Sequence, residues 1–149
     1  MDEHGAGVKG FPAVADEAHI ELVRAPELAA CAEYAYAAVA HDCSRLVFTA
    51  GACPLDAHGQ TVAVGDVARQ AEQAMVNLRL ALRAAGARLE DVVKTTVYVA
   101  SSDQADLVAA WNVVSRHFGD HDAPSTLLGV AVLGYRDQLV EVEAVAALP

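Results

Sequence analysis

Between Asp66 and Gly86 the chain carries Val67, Ala71, Ala74, Leu78, Leu82 and Ala85 at spacings of three and four. Only an α-helix lays such positions along one face. Asp66 can accept a free N–H of the first turn, and Gly86 can take the left-handed conformation that ends the last. Soon after, Val93, Thr95, Val97 and Val99 alternate with Lys94, Thr96 and Tyr98, the period of a strand with one buried face. A long helix with one apolar stripe needs an apolar surface to cover, and the strand beside it offers one. The chain is committed to helix on sheet.

The remaining segments extend that pattern. Ser101 with Gln104 reads as a capping box, and Leu107, Trp111, Val114 and Phe118 form the stripe of a second helix that stops at Gly119. Towards the N-terminus, residues 19–25 read as a short strand. Residues 34–40 and 45–50 read as two strands joined by the turn His41-Asp42-Cys43-Ser44, although the alanine-rich run from Ala35 to Ala40 also suits a helix. The stretch LLGVAVLGYRDQLVEVEAVA reads as a hairpin about Gly134-Tyr135-Arg136-Asp137, its first strand buried on both faces. The order predicts an α+β fold: a mixed β-sheet with two helices packed on one face. Residues 1–18 mix glycine, charge and proline without a period and read as a flexible N-terminal arm, leaving 19–149 as a single domain.

Ten Lys+Arg against twenty Asp+Glu give a net charge of −10. That balance opposes a phosphate backbone, whose binding is driven by basic side chains and counterion release. No nucleic-acid partner is expected. No basic leader and no run of 18 or more apolar residues is present, so neither export nor a membrane partner is expected and the chain is placed in the cytoplasm. Cys31, Cys43 and Cys53 are an odd set without CxxC spacing, as suits reduced thiols. Hydrophobic residues reach 54%, above the usual share. Part of that excess is alanine; the rest points to a subunit interface.

Candidate chemistry concentrates on the last strand. Glu141 and Glu143 share a face there, about 6.8 Å apart, between Leu139 and Val145. Either they face solvent on the side the helices leave open, or one of them stands in a cleft where it holds or activates a water. His117 and His121 are four apart, but Gly119 breaks the helix that would align them, so no metal is expected. Gly5, Gly7 and Gly10 precede no capped helix of a βαβ unit and form no phosphate cradle. Cys53 follows a strand end, with no histidine tied to it in sequence; it reads as a structural thiol rather than a nucleophile.

Several of these segments together resemble one known family. LVFTAGACPLD (residues 46–56) is similar to the strand-and-turn signature of the Rid (YjgF) family. LEDVVKTTVYVA (89–100), the helix from Trp111-Asn112 to Phe118, and GVAVLGYRDQLVEVEAVA (129–146) follow in that family's order. The resemblance covers the chain from Tyr34 onward. It implies a chorismate-mutase-like fold and a homotrimer with its clefts between subunits. It also implies cofactor-independent hydrolysis of small enamines and imines such as 2-aminoacrylate. Matched residue by residue, it places Tyr34 at the cleft tyrosine, Gly51 at the turn glycine, Asn112 at the helix asparagine and Glu141, as the catalytic residue, at the water-positioning glutamate.

One piece is missing. The family's substrate-carboxylate arginine belongs in a Pro-Ala-Arg-Ser/Thr motif, and here the segment is Ala123-Pro124-Ser125-Thr126, with Ser125 in the arginine's place. Removing the charged partner of a shielded carboxylate costs about 2–5 kcal/mol, roughly 30-fold to several thousandfold. Arg136 and Arg45 are the candidates for a relocated cation. The resemblance therefore implies a Rid-family protein acting on a small reactive imine, enamine or related carbonyl metabolite, with Ser125 and Thr126 offering hydrogen bonds, and not an efficient 2-aminoacrylate deaminase. The alternative is a non-catalytic trimer that binds a small metabolite as sensor or scavenger. The ribonuclease activity attributed to some relatives is disfavoured by the acidic charge.

Overall fold

A computed structural model describes residues 19–149; the arm expected over residues 1–18 lies outside them. In chain order the elements are β1 (Ile20–Val23), β2 (Ala37–Ala40), β3 (Arg45–Phe48), α1 (Val67–Ala84), β4 (Val92–Val99), α2 (Gln104–Phe118), β5 (Ser125–Gly129) and β6 (Val140–Leu148). A single 3₁₀ turn, Leu89–Asp91, leads into β4.

The helix expected from the stripe forms as its caps dictate. Asp66 accepts a hydrogen bond from the Arg69 N–H at 3.0 Å, and Gly86 has a φ of 80°. Ala71, Ala74, Met75, Leu78 and Leu82 are completely buried against the sheet and α2. The cap of α2 differs from the expected box. Asp103 is the N-cap and accepts from the Ala105 N–H at 2.9 Å. Ser101 instead accepts from the Asp103 N–H and donates to the Asp106 carboxylate. A carboxylate is the stronger partner for the positive end of a helix, and that displaces the serine.

Four strands form the main sheet in the order β3-β6-β4-β5, with β5 parallel to β4 and the other pairs antiparallel. This makes the mixed sheet expected, with two helices on one face, and corrects two details. β2 does not pair with β3: it forms a separate two-stranded sheet with β1, and the alanine-rich run is strand rather than helix. The terminal hairpin also does not form, because β4 lies between β5 and β6. The return through α2 starts β5 at the same end as β4, so the two run parallel. The apolar run then stops where Gly129 meets the end of β4, a Cβ there falling 2.7 Å from the Ser101 carbonyl oxygen. From that point the chain crosses over β4, held by Val130 N–H to Val99 O and Ala100 N–H to Leu139 O, each at 2.8 Å.

β6 therefore occupies an interior position and alternates cleanly. Val140, Val142, Ala144 and Ala146 are buried under the helices, while Glu141, Glu143 and Val145 lie half-buried on the opposite face. Among the described residues, that opposite face carries no helix. Leu46, Phe48 and Leu128 stand on it, Phe48 being 71% exposed.

Candidate active site

Glu141 stands on the helix-free face, but a fence of three residues encloses its carboxylate. The segment leaving β3 folds across β6: Ala52 exchanges backbone hydrogen bonds with Val142 at 2.7 and 3.1 Å. This draws Gly51 beneath Glu141 so closely that a Cβ at position 51 would come within 2.5 Å of the Glu141 Cδ. α1 holds the segment from the far side, where Asn77 Nδ2 donates to the carbonyls of Cys53 and Leu55 at 2.8 and 2.9 Å.

Gln138 forms the second wall. It is buried, and its Nε2 donates to Glu141 Oε2 at 3.0 Å and to the Val140 carbonyl at 3.1 Å, while its Oε1 accepts from the Tyr135 N–H. Gln70 of α1, also buried, secures the same loop by accepting from the Leu139 N–H at 2.7 Å and donating to the Asp137 carbonyl at 2.9 Å. Cys53 is the third wall, its thiol 3.7 Å from Glu141 Oε2. Burial first, and then the negative charge of Glu141, push the Cys53 thiol above its ordinary range, so it is a neutral donor rather than a thiolate. One oxygen of Glu141 thus has two donors, and the other faces the bare backbone of Gly51. A carboxylate fixed in this way can orient a water and take its proton.

Glu143, two residues on, has a different environment. It accepts from the Tyr98 hydroxyl at 2.7 Å, and that bond, with burial, raises the Tyr98 phenol above its usual range. Of the paired glutamates, only Glu141 has the enclosed setting.

The other expected residues gather elsewhere. Tyr34 meets Trp111 edge to face, with ring centroids 6.1 Å apart. With Ser125, Thr126 and Leu127 they line a cavity of about 450 Å³. The Ser125 hydroxyl is engaged by Thr95 at 2.5 Å and by the Ala123 carbonyl at 3.0 Å. Thr126 has its hydroxyl on the helix-free side, where it accepts from Lys94 Nζ at 2.6 Å. Asn112 lines a neighbouring cavity of about 640 Å³, with Trp111, Arg116 and Ser125.

Within one chain the structure brings Gly51 and Glu141 together, and separately brings Tyr34, Ser125 and Thr126 together. Thr126 is level with Glu143 through Thr96. Two strand spacings and two residues of rise put it about 12 Å from Glu141. Arg136 does not bridge the gap: its side chain is 97% exposed beside Asp137. Arg45 is exposed at the start of β3.

Gln138 and Lys94 are additions that the sequence reading missed, and Cys53, read as structural, touches the carboxylate. Gln138 carried only a weak signal, a polar residue at the lip of an apolar strand. His117 bonds Glu72 at 2.7 Å and His121 the Val92 carbonyl at 2.8 Å. Among the described residues no three His, Cys, Asp or Glu side chains are placed to hold a metal ion. No described helix is long and apolar enough to cross a membrane.

Comparison with known proteins finds relatives over most of the chain. The family model described as Endoribonuclease L-PSP matches residues 25–148. A RutC family protein of Synechocystis is 39% identical over 105 residues, 69% of this chain and 78% of the relative. The 2-iminobutanoate/2-iminopropanoate deaminase of Salmonella typhimurium is 34% identical over 108 residues, 70% of this chain and 81% of that enzyme. Among solved structures, the Rid-family protein YyfB of Yersinia pestis, described as of unknown function, superposes with a TM-score of 0.81 at 27% identity, covering 87% of this chain and 99% of its own.

Proposed function

The chain belongs to the Rid (YjgF) family, and from that premise we propose that it adds water to a small reactive imine, enamine or related carbonyl metabolite in a cleft between copies of the chain. The observation that carries this reading is the Glu141 carboxylate, anchored through one oxygen by Gln138 and Cys53 and open over Gly51. Its role is to take a proton from the attacking water. The water oxygen bonds to the imine carbon, the proton passes to the nitrogen, and the carbinolamine collapses to a carbonyl compound and an amine or ammonia. These steps need only water and proton transfers, so no cofactor is invoked. The deaminase relative, named for 2-imino acids, supports the reaction class.

The helix-free face supports association. Leu46, Phe48 and Leu128 lie exposed across the main sheet, an apolar surface of the kind that marks a protein interface. Self-association into a homotrimer would also bring the Tyr34–Thr126 group of one copy near the Gly51–Glu141 group of another, within reach of one small ligand. Three cysteines without a disulfide suit a reducing cytoplasm.

A second reading, a metabolite-binding trimer without turnover, is favoured by one observation: the hydroxyl of Ser125, in the place of the missing arginine, is already bonded to Thr95 and Ala123. For ribonuclease activity, which the name of the family model mentions, a net charge of −10 is the wrong sign.

The test is hydrolysis, by the wild type and by Ser125→Arg, of imines released in situ from amino acids by an amino-acid oxidase and from amines without a carboxylate by an amine oxidase. Turnover that disappears in Glu141→Gln supports water addition. Silence of both proteins on every imine overturns it and leaves the binding reading.

A further inference from the structure

Lys94 is half-buried on β4, on the same helix-free face as Glu141 and Glu143. Among the described residues its ammonium has one hydrogen-bond partner, the Thr126 hydroxyl at 2.6 Å, and no carboxylate within ion-pair distance. Glu143, the nearest acid by register, is occupied by Tyr98. Thr126 in turn lines the aromatic-walled cavity of Tyr34 and Trp111. In that cavity the Trp111 N–H is directed to Glu33 at 2.9 Å, and the Tyr34 hydroxyl makes no hydrogen bond among the described residues. A positive charge without an acidic partner, bonded to a hydroxyl that lines this cavity, can hold an anion at the cavity's edge.

We propose that Lys94 supplies the cation of the cleft, in place of an arginine at position 125, and that the ligand it selects is a small imine, or its carbonyl product, bearing an acid group. This rests on the water-addition reading for what happens to the ligand, but not for what binds. An ammonium is a point charge rather than a two-pronged fork, and it approaches from β4 rather than from β5. The acid group is therefore held from another direction than an arginine at 125 would hold it, which favours substrates other than 2-aminoacrylate.

The register adds a second consequence. Lys94 pairs with Val145, four residues along β6 from Glu141, which is roughly 14 Å of strand. One chain cannot place both groups on one small molecule, so Lys94 and Glu141 of the same cleft come from different copies.

Binding tests the first part without any need for turnover. Ligand-observed NMR compares 2-oxobutanoate with neutral 2-butanone on the wild type, Lys94→Met and Lys94→Arg. The acid binds the wild type about tenfold or more tighter than the ketone; Lys94→Met erases the preference and Lys94→Arg keeps most of it. Equal affinity of wild type and Lys94→Met for the acid, or a wild type without preference, overturns the proposal whatever the imine assay shows. Absence of imine turnover, with the acid preference intact, overturns only the reaction. For the second part, Lys94→Met and Glu141→Gln chains are unfolded together and refolded. In a trimer about a quarter of the clefts then hold both native residues, and activity returns to about that fraction. No recovery, with each parent inactive and folded, places the two residues in one chain and overturns the shared cleft.

Discussion

Gly51 lies directly under the carboxylate of Glu141, and the space a Cβ would need is already occupied by Glu141 Oε1 and Cδ. Gly51→Ala therefore acts on the glutamate rather than on the turn. The methyl group pushes the carboxylate off its two donors, and imine turnover falls tenfold or more at a stability cost of about 1–3 kcal/mol. Glu141→Gln, which keeps the shape, lowers turnover about 10²–10⁴-fold with little change in melting temperature. Steady-state assays beside thermal melts separate the two variants.

Gln138→Leu removes the buried donor. Glu141 and the Tyr135 N–H lose a partner together, so the variant is destabilised by about 1–3 kcal/mol. The carboxylate also loses a bond that fixes its orientation, so imine turnover falls even at temperatures where the variant is fully folded, whereas a purely structural defect would leave the rate of the folded variant unchanged.

How much of this was legible beforehand differs between the fold and the site. Both helices follow from stripes and stops that are local, within a few residues of Asp66, Gly86 and Gly119. The parallel pairing of β5 with β4 is not local: it depends on where α2 returns the chain. Two apolar runs separated by a Gly-Tyr-Arg-Asp turn look the same in sequence whether or not a third strand lies between them. Glu141 was visible because a carboxylate breaks an apolar face. Gln138 and Lys94 were not, because each acts by reaching across to another segment, and no spacing along the chain records that.

The thiol of Cys53 gives a titration that can be followed directly. Its proton is held above a thiol's ordinary value of 9.0 by burial and by the charge of Glu141. The folded form thus keeps a proton that the unfolded chain gives up near that pH. The associated stability is present below 9.0 and is lost as the pH climbs through the raised value. Iodoacetamide labelling, followed by peptide mass spectrometry, shows Cys53 of the folded protein reacting later along the pH axis than Cys53 of the unfolded chain. In Glu141→Gln its profile moves part of the way back, since burial remains.

Phe48, on the open face of β3, offers a test of the proposed association. Phe48→Asp places a charge in the apolar patch with Leu46 and shifts the protein towards monomer in sedimentation velocity. Turnover falls with the loss of assembly, while Glu141 and its fence stay intact, and circular dichroism at low temperature is unchanged.

The interior place of β6 bears on how the molecule is made. β6 follows every other strand in the chain yet lies between β3 and β4. While the polypeptide is emerging from the ribosome, those two strands have no common neighbour, and the undersides of both helices have no floor between them. Only when residues 140–148 are free can they slide into the gap, closing the sheet and bringing Glu141 onto Gly51 in the same movement. A nascent chain stopped short of Val140 would expose its apolar surfaces to chaperones and proteases, so completion of the protein's hydrophobic interior and enclosure of the Glu141 carboxylate are a single event.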